Sequence, residues 1–126
     1  MNQETARKKV VLVVDDEEGM RDMLGWRLGD SEFDIKLARN GEEAIAILGR
    51  DMIDLVVTDL TMPRCGGLKL LDAIGGKTAV IVITGFGTVE MAVHAIRNGA
   101  SDFLLKPFDP QYLLQRIREV LGGLVQ

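Results

Sequence analysis

Apolar and polar positions along the chain group into blocks that predict five strands, each followed by a helix. Val10–Val14 is a continuous apolar run, Ala79–Thr84 is apolar up to its terminal threonine, and Ile53–Asp59 is a largely apolar run that stops at a carboxylate. Such runs indicate strands buried on both faces, as in a parallel sheet covered by helices on each side. Phe33–Ala38 alternates instead, which indicates a strand nearer an edge, and Ser101–Leu105 is a short last strand.

The segments between these strands have the apolar spacing of helices with one buried face. Asn40 is the expected N-cap of the second helix, whose predicted buried side is Ala44, Ile45, Ile47 and Leu48. Five strand–helix repeats favour an α/β fold with right-handed crossovers. We therefore expect a doubly wound five-stranded parallel sheet in a three-layer α/β/α arrangement of the flavodoxin-like type.

Composition narrows the class of protein only a little. The 126 residues are enough for one domain with a real core, and the formal net charge of −4 argues against direct nucleic-acid contact by this domain. The first residues, Met1 to Lys9, lack the apolar core of a signal peptide, and no apolar stretch is long enough for a bilayer. With a single cysteine as well, we expect a cytoplasmic protein without a membrane segment.

Polar residues follow the apolar strands at the points where the strands end: Asp15 and Asp16, Asp59, Thr84 and Lys106. The carboxyl ends of parallel strands lie at one edge of the sheet, so these side chains are expected to converge. Clustered carboxylates repel one another, and Mg²⁺ relieves that repulsion because it prefers oxygen ligands. A lysine and a hydroxyl at the same place suit a tetrahedral anion. The pattern favours phosphoryl transfer to a carboxylate.

These residues resemble the receiver domain of two-component response regulators of the chemotaxis Y protein type. The resemblance runs from about Lys8 to Leu121, so the chain is expected to be a single receiver domain, 1–126, with a core of about 8–121. The matching pieces are Val13–Glu17, Asp59–Pro63 with Gly67, Ile83–Gly85 and Lys106–Phe108.

The resemblance implies that Asp59 is the phosphoacceptor and that a sensor histidine kinase is the donor. It implies that Asp16 is a direct Mg²⁺ ligand, that Asp15 acts near the metal or through water, and that Asp59 and the backbone carbonyl of Thr61 complete the set. In the same way, Lys106 would pair with the phosphoryl oxygens.

The resemblance also implies a switch. Thr84 would hydrogen-bond the phosphoryl group, and Phe103 occupies the family's aromatic switch position. The output partner or domain would read the face formed by the fourth helix, fifth strand and fifth helix, with possible homodimerisation on phosphorylation. The run Ile83–Val93 looks most like receivers that precede sigma-54-dependent activators, which suggests transcription regulation and an N-terminal place in a longer regulator.

Two other functions fit part of the pattern. A haloacid-dehalogenase-like phosphohydrolase also uses a strand-end aspartate and Mg²⁺, but it carries a second aspartate two residues later, where this chain has Thr61. A receiver-like module that acts without phosphorylation is the other alternative. It is disfavoured because all five pocket residues are present. We expect no enzyme activity beyond the domain's own phosphorylation and dephosphorylation.

Overall fold

The computed structural model describes residues 8–60, 67–85 and 89–122. Five strands alternate with five helices in these ranges. The strands are β1 (Val10–Val14), β2 (Asp34–Ala38), β3 (Leu55–Asp59), β4 (Ala79–Thr84) and β5 (Asp102–Leu105). The helices are α1 (Glu18–Gly29), α2 (Gly41–Arg50), α3 (Gly67–Ile74), α4 (Val89–Arg97) and α5 (Pro110–Gly122). In the part of the chain so described, no helix has the length and apolarity to cross a bilayer.

The strands form one parallel sheet in the order β2-β1-β3-β4-β5, so the predicted fold class is confirmed. The alternating strand β2 lies at an edge, as its pattern indicates, while β1 and β3 are buried along their whole length. The central position of β1 and β3 brings their carboxyl ends side by side.

Alternate residues of each central strand enter two separate apolar cores. Leu12 and Val56 pack on one face with residues of α2, α3 and α4. Val11 and Val57 pack on the other face with residues of α1 and α5. Because each face is covered, the expected three layers are present and the sheet is a rigid support for whatever follows its strands.

Local sequence signals account for two helix starts. Asn40 caps α2, since its side-chain oxygen accepts a hydrogen bond from the backbone N–H of Glu43 at 2.8 Å. Asp109 precedes α5 and accepts a bond from the N–H of Gln111 at 2.9 Å, and Pro110 takes the first helical position. The cap expected at Asn40 is therefore in place, and Asp109 and Pro110 begin α5 through a similar local signal.

The prediction that Ile45 lies on the buried side of α2 is wrong. Ile45 is 40% exposed, whereas Ala44 and Ile47 are buried and Leu48 is partly buried against the core. The helix turns by about 100° per residue, so Ile45 lies about 130° from the centre of the face formed by Ala44 and Ile47 and points away from the core. The apolar character of Ile45 is therefore not evidence of burial here.

Candidate functional site

The site begins with two carboxylates at the ends of adjacent strands. Val14 pairs with Thr58 in the register of β1 and β3, so Asp15 and Asp59 stand next to each other at the edge of the sheet. Asp15 is fully buried and Asp59 is nearly so, whereas Asp16 is exposed. One oxygen from each of the three lies within 4.8 Å of the others, which is a group that could hold a metal ion.

Lys106 reaches this group from the far side of β4. Its backbone N–H donates to the carbonyl of Thr84 at 2.8 Å, and the Lys106–Pro107 peptide bond is cis. The ammonium Nζ lies 2.7 Å from Asp59 Oδ2 and 3.2 Å from Asp15 Oδ2. A third carboxylate, that of Glu17, is 3.4 Å away. The predicted convergence of Asp15, Asp59 and Lys106 is thus found as hydrogen-bonded contacts.

The charges of this cluster perturb one another. Burial raises the pKa of Asp15 above its ordinary 3.8, although the N–H of Glu17 and the charge of Lys106 act in the opposite direction. Burial by itself would lower the pKa of Lys106. The hydrogen bond to Asp59 and the charges of Asp15 and Asp59 outweigh burial, so the pKa of Lys106 is raised above 10.5. At neutral pH the lysine is therefore fully charged.

Two residues hold the Asp15 segment in place. The backbone N–H of Glu17 donates to Asp15 Oδ1 at 2.9 Å, and Arg21 Nη1 donates to the backbone carbonyl of Asp15 at 2.9 Å. Neither residue stands out in the sequence as part of the site. Glu17 belongs to an acidic run that equally suits the start of a helix, and Arg21 is one polar position of α1.

The other predicted site residues lie around this cluster. Thr84 is fully buried at the end of β4, one residue beyond Ile83, which pairs with Asp59. Phe103 is partly buried in β5, two strands from Asp59, and packs against the core on the side of α4. Thr61 lies outside the described residues, so its expected carbonyl ligand has no structural description.

Fold and site together define a doubly wound α/β domain with an acidic pocket and a lysine at the carboxyl edge of its sheet. Residues 11–118 match the family model described as "Response regulator receiver domain". The chain belongs to this family: it is a receiver domain of two-component response regulators. It is not a member of a classical enzyme family.

Relatives and solved structures agree with this assignment. The chain is 38% identical over 118 residues to the response regulator protein PilR of Pseudomonas aeruginosa, covering 91% of this chain and 26% of that protein. A CheY-like receiver domain protein from Methanospirillum hungatei superposes with a TM-score of 0.88 at 27% identity, covering 93% of this chain and 96% of that one.

The beryllofluoride-activated NtrC4 receiver domain dimer is also similar, with a TM-score of 0.84 at 35% identity, covering 90% of this chain and 97% of that one. The chain spans about a quarter to a half of the length of the curated relatives it matches. Many of those relatives are named as transcriptional regulators.

Proposed function

We propose that Asp59 is the phosphoacceptor of this receiver domain. The observation that carries the proposal is the 2.7 Å contact between Asp59 Oδ2 and the Lys106 ammonium, inside an acidic pocket. A lysine there meets the charge that a phosphoryl group brings, which is the main requirement of phosphoryl transfer. Asp15 is more deeply buried than Asp59, which makes it the less accessible of the two carboxylates.

The reaction needs little from the protein beyond placement and charge. An Asp59 carboxylate oxygen forms a bond to the phosphorus of a phosphohistidine on a sensor histidine kinase, while the phosphorus–nitrogen bond breaks and its electron pair goes to nitrogen. The imidazole leaves as a neutral ring because its other nitrogen carries a proton. Lys106 then pairs with the phosphoryl oxygens. Removal of the phosphoryl group by water returns the carboxylate, so the domain catalyses only its own phosphorylation and dephosphorylation.

Mg²⁺ is the proposed cofactor. Asp15, Asp16 and Asp59 would hold it, with the backbone carbonyl of Thr61 as a further ligand. The donor set fits because three carboxylate oxygens lie within 4.8 Å of one another and Mg²⁺ binds oxygen ligands. When bound, the ion neutralises carboxylate and phosphoryl charge together.

Phosphorylation would act on Thr84 and Phe103. A new hydrogen bond between Thr84 and the phosphoryl group favours one arrangement at the end of β4, and Phe103 in the neighbouring strand repacks with it. A near-complete shift between two states needs about 5.5 kcal/mol, and a few charge-assisted hydrogen bonds can supply much of that.

The proposed output surface is the face of α4, β5 and α5. Among the residues whose side chains are described, it carries four large exposed apolar ones: Val93, Ile96, Leu105 and Tyr112. Such residues support a protein partner or an output domain on this face, and the dimeric state named for the similar NtrC4 receiver supports homodimerisation on phosphorylation.

The wider setting follows from charge and relatives. We place the domain in the cytoplasm without membrane contact, as part of a transcription regulator, and the single receiver domain is assigned to 1–126. With a net charge of −4, DNA contact would be made by a different segment of such a regulator.

Intact-protein mass spectrometry after incubation with acetyl phosphate and Mg²⁺ tests the proposal. We expect the mass of one phosphoryl group to be gained, to require Mg²⁺, and to be absent in Asp59→Asn. Asp54→Asn is the matched control, because Asp54 lies before β3 and accepts the N–H of Val10 instead. Failure of every phosphodonor to modify the wild type would leave the phosphorylation-independent module as the function. Labelling that persists in Asp59→Asn would refute the assignment of the acceptor.

A further inference from the structure

Glu17 has a position that helix stability does not explain. It is the N-cap of α1, yet its side chain makes no capping hydrogen bond, and Ser, Thr, Asp and Asn are the residues preferred there. Its side chain is 67% exposed, but Oε1 lies 3.4 Å from the Lys106 ammonium. The carboxylate is therefore directed at the site and not at its own helix.

The backbone of Glu17 is fixed on both sides. Its N–H donates to Asp15 Oδ1 at 2.9 Å, and its carbonyl accepts the N–H of Arg21 at 2.9 Å. The Glu17 carboxylate is thus presented at the mouth of the pocket. Lys106 is shared between two buried carboxylates deeper in the pocket and this solvent-exposed one at the rim.

We propose that Glu17 is a positioning residue that competes with the phosphoryl group for the Lys106 ammonium; this rests on the proposed phosphorylation of Asp59. With acetyl phosphate, an Asp59 oxygen bonds to phosphorus, the bond from phosphorus to the acetate oxygen breaks, and acetate leaves with the electron pair. No proton moves. The incoming phosphoryl oxygens need the ammonium that Glu17 holds at the rim, so breaking that contact adds to the barrier.

Three variants separate this contact from a general charge effect. Glu17→Gln removes the charge and keeps the length, whereas Glu17→Asp keeps the charge but is one methylene shorter and loses reach. Glu18→Gln is the control, because Glu18 carries the same charge in the first turn of α1 and is exposed. Equal thermal unfolding midpoints establish that all three variants fold.

We expect both Glu17 variants to be labelled by acetyl phosphate about 1.4- to five-fold faster than the wild type, the range set by one exposed ion pair. Glu18→Gln should match the wild type. If Glu17→Gln is labelled faster while Glu17→Asp is labelled at the wild-type rate, Glu17 only repels the anionic donor, and the proposal is wrong. It is equally refuted if Glu17→Gln is not faster.

A second measurement does not depend on turnover. The Lys106 side-chain ¹³Cε and ¹⁵Nζ resonances of the unphosphorylated protein should move in both Glu17 variants and stay unchanged in Glu18→Gln. If neither resonance moves in the Glu17 variants, the contact between Glu17 and Lys106 is refuted. Wild-type labelling that disappears in Asp59→Asn, combined with unchanged rates in the Glu17 variants, overturns only the role of Glu17. A wild type that no donor labels removes both proposals.

Discussion

Substitution of Lys106 by methionine tests the electrostatic balance of the pocket. Methionine is of similar length and carries no charge, so the variant removes the ammonium from its places 2.7 Å from Asp59 Oδ2 and 3.2 Å from Asp15 Oδ2. The lysine side chain is only 14% exposed, and that of Asp15 is not exposed at all. Two buried carboxylates therefore lose a partner that water replaces poorly.

Breaking a buried ion pair by removal of one partner costs about 3–5 kcal/mol, because the remaining charge stays buried. We expect a loss of that size in the free energy of unfolding at neutral pH without divalent ions, and a midpoint temperature lower by roughly 10–20 °C. Added Mg²⁺ should recover part of the loss, since a cation again offsets the carboxylates.

The pH dependence has a definite sign. The pKa of Lys106 is raised above 10.5, so its contribution is complete below that value and is lost as the pH rises through the folded-state pKa. The penalty in the methionine variant should shrink at acidic pH, below the ordinary value of 3.8 for Asp15, where that carboxyl is protonated in both states.

Urea unfolding followed by circular dichroism measures these differences, with Lys36→Met as the matched control. Lys36 lies 3.8 Å from Asp51 with its side chain 41% exposed, so its loss should cost only about 0.2–1 kcal/mol. If Lys106→Met and Lys36→Met shift the midpoint equally, Lys106 is not holding the pocket together and the reasoning fails.

Two further predictions concern neighbouring groups. Asp15→Asn should raise the free energy of unfolding at neutral pH without Mg²⁺. Burial raises the pKa of Asp15, so the wild type loses stability as the pH rises from 3.8 through the folded-state pKa. In urea titrations below pH 3.8, the gain in stability of the variant should vanish. Arg21→Gln removes the 2.9 Å hydrogen bond to the Asp15 carbonyl and should weaken Mg²⁺ binding about 10-fold or more, as measured by calorimetry. The control is Asp22→Asn, at an exposed neighbouring position on α1. Equal Mg²⁺ affinities of the two variants would exclude a role for Arg21.

The fold was predictable because its main signals are repeated and local. Continuous apolar runs mark β1 and β4 at their observed bounds, Ala79–Thr84 including its terminal threonine, and the alternating pattern of β2 indicates its place at an edge. Apolar identity alone was insufficient at Ile45, where the angle around the helix axis decides exposure. Strand order could not be read from these patterns and is given by the structure.

The convergence of Asp15, Asp59 and Lys106 was predictable from the strand ends, whereas their individual contacts were less so. Parallel strands bring Asp15 and Asp59 to one edge of the sheet, whatever the order of the strands. Which carboxylate oxygens Lys106 contacts depends on how its side chain crosses the end of β4. The proposed role of Glu17 could not be predicted from the sequence for the same reason. An acidic residue before a helix has an ordinary explanation, and only the distance to Lys106 separates the two roles.

Stability and the proposed function make opposite demands on this pocket. Asp15 is an acid whose charged form burial disfavours, and Asp16, Asp59 and Glu17 add like charges around the Lys106 ammonium. A sequence selected for folding alone would place neutral or apolar residues at such a position. In the proposed function, the residual negative charge would let the pocket bind a divalent cation, and the cation would in turn make an anionic phosphoryl group acceptable there. The destabilisation expected of Asp15 and the Mg²⁺ dependence expected of Asp59 labelling are therefore two consequences of one arrangement. A variant that relieves the destabilisation, such as Asp15→Asn, should impair Mg²⁺-dependent labelling of Asp59.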